Sequence, residues 1–135
     1  MSYSGETFRK SERLCSKKVI ESLFANGKSF YCHPFLIIWS FTEYEMPFPA
    51  QVAFSVPKKG FRRAVTRNLI RRRMREAYRK NKSILYNHLS SAGEKIVFTI
   101  IFRDKNAADY DQTEKAIKQM IDFFVNTIQV SKPNC

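Results

Sequence analysis

The apolar residues of this chain follow two rhythms, a period near 3.6 that marks helices and a period of 2 that marks strands. Val19, Ile20, Leu23 and Phe24 have helical spacing. Ser16 is placed to cap that helix and Asn26-Gly27 to end it, which predicts a short helix running to about residue 25. Between 30 and 42, Phe35, Ile37, Trp39 and Phe41 alternate with Leu36, Ile38 and Ser40, so a strand with apolar residues on both faces is expected. Pro34 marks its beginning or an unpaired edge position. Residues 43–49 hold two prolines and two acids and read as a turn, and a second strand, 50–56, is closed by Pro57. Strand, short loop, strand predicts an antiparallel pair.

The second half of the chain begins with a helix over 66–80 whose apolar side is Thr66, Ile70, Met74 and Ala77, flanked by Tyr78 and Leu69. Thr66 suits its N-cap. Residues 83–89 read as one or two further helical turns, with Ile84, Leu85 and His88 continuing the buried face. After a loop at 90–93, IVFTIIF within 94–103 is an almost unbroken β-prone run, expected as a central strand covered on both faces. The last helix, 111–129, has Ile117, Met120, Ile121, Phe124, Val125 and Ile128 on one side. The order α-β-β-α-β-α, with room for a short extra strand near the basic loop, predicts a small sheet with helices packed on it, an α+β sandwich. One domain is expected over 1–135, with an irregular polar segment at 1–13, anchored by Phe8 and Leu14, and a frayed tail at 130–135.

Charge changes this picture from a fold to a function. Residues 58–82 hold 12 of the 24 Lys and Arg and one acid, Glu76, so nearly all of the chain's formal +12 sits in one segment. On a helical projection from Val65, Asn68, Arg71, Arg72, Arg75 and Arg79 occupy an arc of roughly 240° to 340°, opposite the apolar residues at roughly 100° to 180°. One face can bury and the other is a guanidinium stripe. Lys58 to Arg63 form a charged approach loop around Gly60. A purely structural helix would relieve the repulsion with acids one turn away, whereas a polyanion explains why it is tolerated. Arginine in preference to lysine favours forked contacts to phosphate.

The other side chains supply little chemistry. Two histidines, His33 and His88, and three scattered cysteines, Cys15, Cys32 and Cys135, lack metal-ligand spacing and a dense disulfide pattern. The four glycines form no phosphate-binding loop. Asp104, Asp109, Asp111 and Glu114 surround the start of the last helix and read as favourable charges at its dipole rather than a two-metal nuclease site. A content of 44% hydrophobic and 14% aromatic residues argues against disorder. No run approaches a membrane span or a signal segment. The expectation is a soluble cytoplasmic protein with a nucleic-acid partner, no catalytic or metal-binding side chain of its own and no obligatory protein partner.

At RRAVTRNLIRRRMREAYR the sequence resembles the protein subunit of bacterial ribonuclease P. That family carries R-N-x-x-K/R-R-x-x-R-E/Q on a basic helix after a Lys-Lys loop, matched here by Arg67, Asn68, Arg71, Arg72, Arg75 and Glu76 behind Lys58-Lys59. FRKSERL, the helix closing at Phe24 and Gly27, VAFSVPKK and IVFTIIFR agree with further family segments in the same order. The resemblance implies an α-β sandwich of the ribosomal protein S5 domain 2-like kind. Its βαβ crossover would be left-handed, although about 98% of such connections are right-handed. It implies a ribonucleoprotein that removes 5′ leaders from precursor tRNA, the RNA subunit performing the Mg²⁺-dependent hydrolysis. Arg67, Asn68, Arg71, Arg72 and Arg75 take RNA-contacting positions. Lys58, Lys59, Arg62, Arg63 and Arg79 complete the expected RNA-binding set. Ile20, Phe24, Leu36 and Ile38 fall in a cleft for the single-stranded leader. Some family members have aromatic residues where Ile20 and Ile38 stand, and an isoleucine offers contact area without a π-face.

Other classes would use the same stripe differently. A stand-alone RNA-binding protein, such as a ribosomal or RNA-chaperone module, needs no catalytic RNA. A helix-turn-helix regulator needs a partner helix close before the basic one, which is lacking. A membrane-surface helix needs large apolar residues bordering the stripe, and these are committed to the core.

Overall fold

The computed structural model describes residues 8–128. A 3₁₀ turn at Lys10–Glu12 precedes α1 (Lys17–Asn26), β1 (Lys28–Cys32), β2 (Phe35–Phe41), β3 (Ala50–Ser55), α2 (Ala64–Ala92), β4 (Ile96–Phe102) and α3 (Tyr110–Thr127). The strands form one mixed sheet in the order β1-β2-β4-β3. This is the α+β sandwich the periodicities predict, with α2 and α3 on one face and α1 on the other.

Three local expectations change. The strand expected over 30–42 is a hairpin: β1 and β2 pair antiparallel from Lys28↔Trp39 to Cys32↔Phe35, turning at His33-Pro34. Phe30 and Cys32 alternate inward, and the Phe30 ring stacks on Phe123 at 3.7 Å. The extra strand therefore lies here and not near the basic loop. β3 does not pair with β2. β4, all seven of whose residues are buried, lies between them, antiparallel to β2 and parallel to β3. Only the central position covers both faces and both edges of so apolar a strand.

The basic helix is longer than its pattern predicts. α2 runs 29 residues without a break, about 43 Å at the α-helical rise. It starts at Ala64 with Arg63 as N-cap, three residues before the expected cap at Thr66, and the Arg63 side chain makes no capping bond. The polar stretch at 80–83 does not end it. The Asn81 amide donates to the Ala77 carbonyl at 2.8 Å and to Glu114 at 3.1 Å, while Lys82 turns inward and is buried. Ile70, Met74, Ala77, Tyr78, Leu85, Tyr86 and Leu89 form the core face. Ile84, expected on that face, is 60% exposed, and His88 is half-buried, its ring nitrogen meeting the Ile128 carbonyl.

Of the segment expected to be irregular, 1–13, residues 1–7 lie outside the described residues, and residues 8–13 hold the 3₁₀ turn and pack on the fold. Leu14 is buried, Phe8 packs edge-on against Phe54 and Tyr78, and Arg13 bridges to Val52 beside the free edge of β3. The Leu14 N–H donates to the Val52 carbonyl at 2.9 Å. An edge strand is thereby partly covered. Asp109 caps α3, accepting from the Gln112 N–H at 2.8 Å in a capping box. No helix among the described residues is long and apolar enough to cross a membrane. The expected frayed tail, 130–135, lies outside the described residues.

Candidate nucleic-acid interface

Two surfaces meet near the start of α2. The first is the stripe. Lys58, Lys59, Arg62 and Arg63 of the approach loop are exposed, as are Asn68, Arg72 and Arg75 on the outer side of α2. Arg71 and Arg79 are half-buried. Each has the helix's buried face behind it, so the packing of Ile70, Met74 and Ala77 on the sheet is what turns the guanidiniums outward.

The stripe is not uniform. Arg67 folds back over the approach loop, its Nη1 donating to the carbonyls of Phe61 at 2.7 Å and Arg62 at 2.9 Å. Its helical position lies outside the arginine arc, and it holds the loop that carries Lys58 to Arg63 rather than standing free. Arg79 makes a forked pair with Glu76, at 3.1 Å from Nε and 2.5 Å from Nη2. That hydrogen bond holds the Glu76 carboxyl below its ordinary range. Arg73, outside the stripe, ties α2 to the loop before α3, donating to the Ala108 carbonyl at 2.7 Å. Partial burial lowers the Arg75 pKa, helped by the like charges of Arg13 and Arg71. Arg13 is therefore a neighbour of the stripe that sequence reasoning missed.

The second surface is the sheet face under α1. Leu14, Leu23 and Val97 are buried there, with Ile20 and Ile38 packed against them. Ile20 and Ile38 therefore stand as half-buried walls. Leu36 lies beside Ile101 in the β2–β4 register. Phe24 behaves differently: it is 58% exposed and lines an open cavity of about 900 Å³ with Phe61, Ile101, Lys59, Arg103 and Lys105. The four residues expected at the cleft thus divide into a packed pair, a half-buried strand position at Leu36 and one exposed ring at Phe24. Phe61, Ile101, Arg103 and Lys105 join them only through folding. Of these, only Arg103 had a signal, as the basic residue ending the apolar run.

Three of the four acids around α3 have side-chain partners, and the fourth, Asp111, sits in the first turn of the helix. Asp109 caps, Glu114 accepts from Asn81 at 3.1 Å and from the Tyr110 hydroxyl at 3.5 Å, and Asp104 faces His33 at 3.4 Å. Among the described residues, no three His, Cys, Asp or Glu side chains are grouped to hold a metal ion.

This geometry has known counterparts. The family model described as Ribonuclease P matches residues 8–124. The ribonuclease P protein component of Porphyromonas gingivalis strain ATCC 33277 is 34% identical over 114 residues, covering 83% of this chain and 82% of that protein. That of Petrotoga mobilis is 38% identical over 81 residues, covering 58% and 64%. Among solved structures, the Staphylococcus aureus RNase P protein superposes with a TM-score of 0.67 at 20% identity, over 84% of this chain and 95% of that one. The Thermotoga maritima protein gives 0.66 at 20% identity, over 83% and 96%. At that identity the structures speak for the fold, and they share the sandwich described above. The family match, the relatives and the fold agree, and the chain belongs to the ribonuclease P protein family, as the protein subunit of the endoribonuclease that matures tRNA 5′ ends.

Proposed function

We propose that this subunit is a phosphate-binding scaffold with a single-strand cleft beside it. In this reading the approach loop and the outer side of α2 hold the catalytic RNA through Lys58, Lys59, Arg62, Arg63, Asn68, Arg71, Arg72, Arg75 and Arg79. Arg67 keeps that loop in place. The cleft from Ile20, Leu36 and Ile38 to Phe24 takes the 5′ leader of precursor tRNA. The observation that carries the reading is the cavity where the two surfaces meet, which combines the Phe24 and Phe61 rings with Lys59, Arg103 and Lys105. A single strand offers stacking faces and phosphates together, and each stacked base contributes about 1–3 kcal/mol.

The protein's own steps are binding and positioning. Glu76 is engaged by Arg79, Glu12 by Lys82, and Asp104 by His33. Glu76 and Asp104, the acids closest to the stripe and the cavity, thus have protein partners, and the cationic donor set around them suits phosphate better than a divalent ion. Mg²⁺ held by the RNA would activate the water and stabilise the charge of the transition state. The protein would act by lowering the repulsion between crowded RNA strands and retaining the leader.

The test is precursor-tRNA cleavage by protein, RNA subunit and both together at low Mg²⁺. Stimulation only in the combination is expected, with Phe24→Ala weakening the preference for leader-bearing over leaderless tRNA. Cleavage by the protein alone overturns the scaffold reading, and an unchanged leader preference in Phe24→Ala overturns the cleft assignment.

A further inference from the structure

The segment before α1 is fastened to α2 by a buried polar cluster that RNA binding by the stripe does not explain. Glu12 is fully buried and Lys82 is 4% exposed. The Lys82 ammonium and the Tyr86 hydroxyl both donate to Oε1 of Glu12, the hydroxyl at 2.6 Å, and the Arg9 N–H donates to Oε2 at 2.5 Å. A buried ion pair adds little net stability, because desolvation offsets the attraction, but it fixes register. Glu12 ends the 3₁₀ turn and Arg13 after it is extended, with φ −90° and ψ 132°, so fixing Glu12 fixes the direction in which the chain leaves the turn. Glu12 and Leu14 are buried, and Arg13 between them is exposed.

Anchoring Glu12 therefore decides where Arg13 stands. Its guanidinium carbon lies 5.9 Å from the centre of the Phe8 ring, and that ring packs on Tyr78 at 5.9 Å. Tyr78 is one turn beyond Arg75 on α2. Arg13 thereby packs beside α2 from a different part of the chain, where its charge adds to partial burial in lowering the Arg75 pKa. Among the described residues, neither Arg13, Arg71 nor Arg75 has an acidic partner within ion-pair distance, since the nearby acids are taken by Arg79 and Lys82. Three neighbouring guanidiniums without an acid repel one another, and a bridging phosphate relieves that repulsion.

We propose that Arg13 is a further phosphate-contacting residue of the RNA-binding surface, and that the Glu12–Lys82–Tyr86 cluster is the positioning device that sets it beside Arg71 and Arg75. This rests on the stripe binding the catalytic RNA. The experiment is a salt titration of the intact protein binding to ribonuclease P RNA, comparing the parent with Arg13→Ala, Arg13→Lys and Arg72→Ala. Arg13→Ala should weaken binding several-fold and flatten the slope of log K against log salt by roughly 0.7–0.9, the contribution of one phosphate contact. Arg13→Lys should restore most of the slope, and the melting temperature of the free protein should not change in either variant. A parental slope in Arg13→Ala, with a flattened slope in Arg72→Ala, overturns this proposal and leaves the stripe reading intact. Parental slopes in both overturn the stripe reading itself. For the positioning role, Glu12→Gln with Lys82→Met removes both buried charges and should reproduce the Arg13→Ala loss. Adding Arg13→Ala to that pair should cost nothing more. A folded pair variant that keeps the full slope overturns the positioning role; if the pair does not fold, Glu12→Gln alone is put through the same comparison.

Discussion

Gly27 sets the distance between α1 and the sheet, so Gly27→Ala tests how the cleft is built. Its φ of −72° suits any L-residue, and only space makes glycine necessary. An added Cβ would lie 2.6 Å from the Leu23 carbonyl oxygen, 2.8 Å from Cγ2 of Ile38 and 3.2 Å from the Trp39 carbonyl oxygen. Ordinary contact begins near 3.4 Å, so β2 must give way by about 0.6 Å at Ile38 and the last turn of α1 must open by about 0.8 Å at the Leu23 carbonyl. Overpacking of this kind costs about 1–3 kcal/mol. For a domain of this size that is a fall in melting temperature of about 4–12 °C. Because the clash is shared between α1 and β2, Ile20 moves away from Ile38 and Phe24 shifts at the cavity mouth. Thermal unfolding of the free protein, followed by circular dichroism, reads the first effect. Holoenzyme affinity for leader-bearing against mature tRNA reads the second and should lose part of its preference, while the salt slope for the RNA subunit stays parental. A melting temperature within about 1 °C of the parent, together with an unchanged leader preference, refutes the reasoning.

Gly93 is the contrasting case: φ is 70° and nothing lies within 4 Å of an added Cβ, so Gly93→Ala should cost about 1–2 kcal/mol from backbone strain alone, seen by melting with RNA binding unaffected. Lys82→Met leaves the Glu12 carboxylate buried without its cation and should cost about 3–5 kcal/mol in urea unfolding, most of it recovered when Glu12→Leu is added. Burial raises the phenol pKa of Tyr78 and Tyr86 above the ordinary value, helped for Tyr86 by Tyr78 and by its hydrogen bond to Glu12. The unfolded chain releases these protons near pH 10 while the folded chain keeps them. Their contribution to stability is therefore complete below about pH 10 and declines as pH rises above it. Two phenolates should appear only together with unfolding in an alkaline spectrophotometric titration, and native titration of all tyrosines near pH 10 refutes this.

How far the chain could be read depended on whether a feature is local. The α1 cap at Ser16, the alternation in β2 and the unbroken apolar run of β4 are written in neighbouring residues, and the structure places each as expected. The extent of α2 is not local, because Asn81 and Lys82 have the pattern of a polar interruption. Their partners, Glu12 and Glu114, lie 70 and 33 residues away. The pattern over 30–42 predicts one strand because Phe30 and Cys32 share the rhythm of Phe35, Ile37 and Trp39, and only the pairing of Phe30 with Ile37 separates β1 from β2.

The site divides along the same line. Composition and helical spacing alone were enough to identify an arginine face opposite an apolar face, and the motif around Arg67 and Asn68 was enough to point to the family. The tertiary structure decided which of those cations stand exposed and which are engaged by other groups of the chain. It turned Arg67 onto the loop carbonyls, paired Arg79 with Glu76, exposed Phe24 beside Lys59 and Arg103, and brought Arg13 to the stripe. The physical reason is that periodicity records which side of an element is apolar. What a charged side chain does depends on the groups that other elements bring within hydrogen-bond reach, and those separations are invisible until the chain has folded.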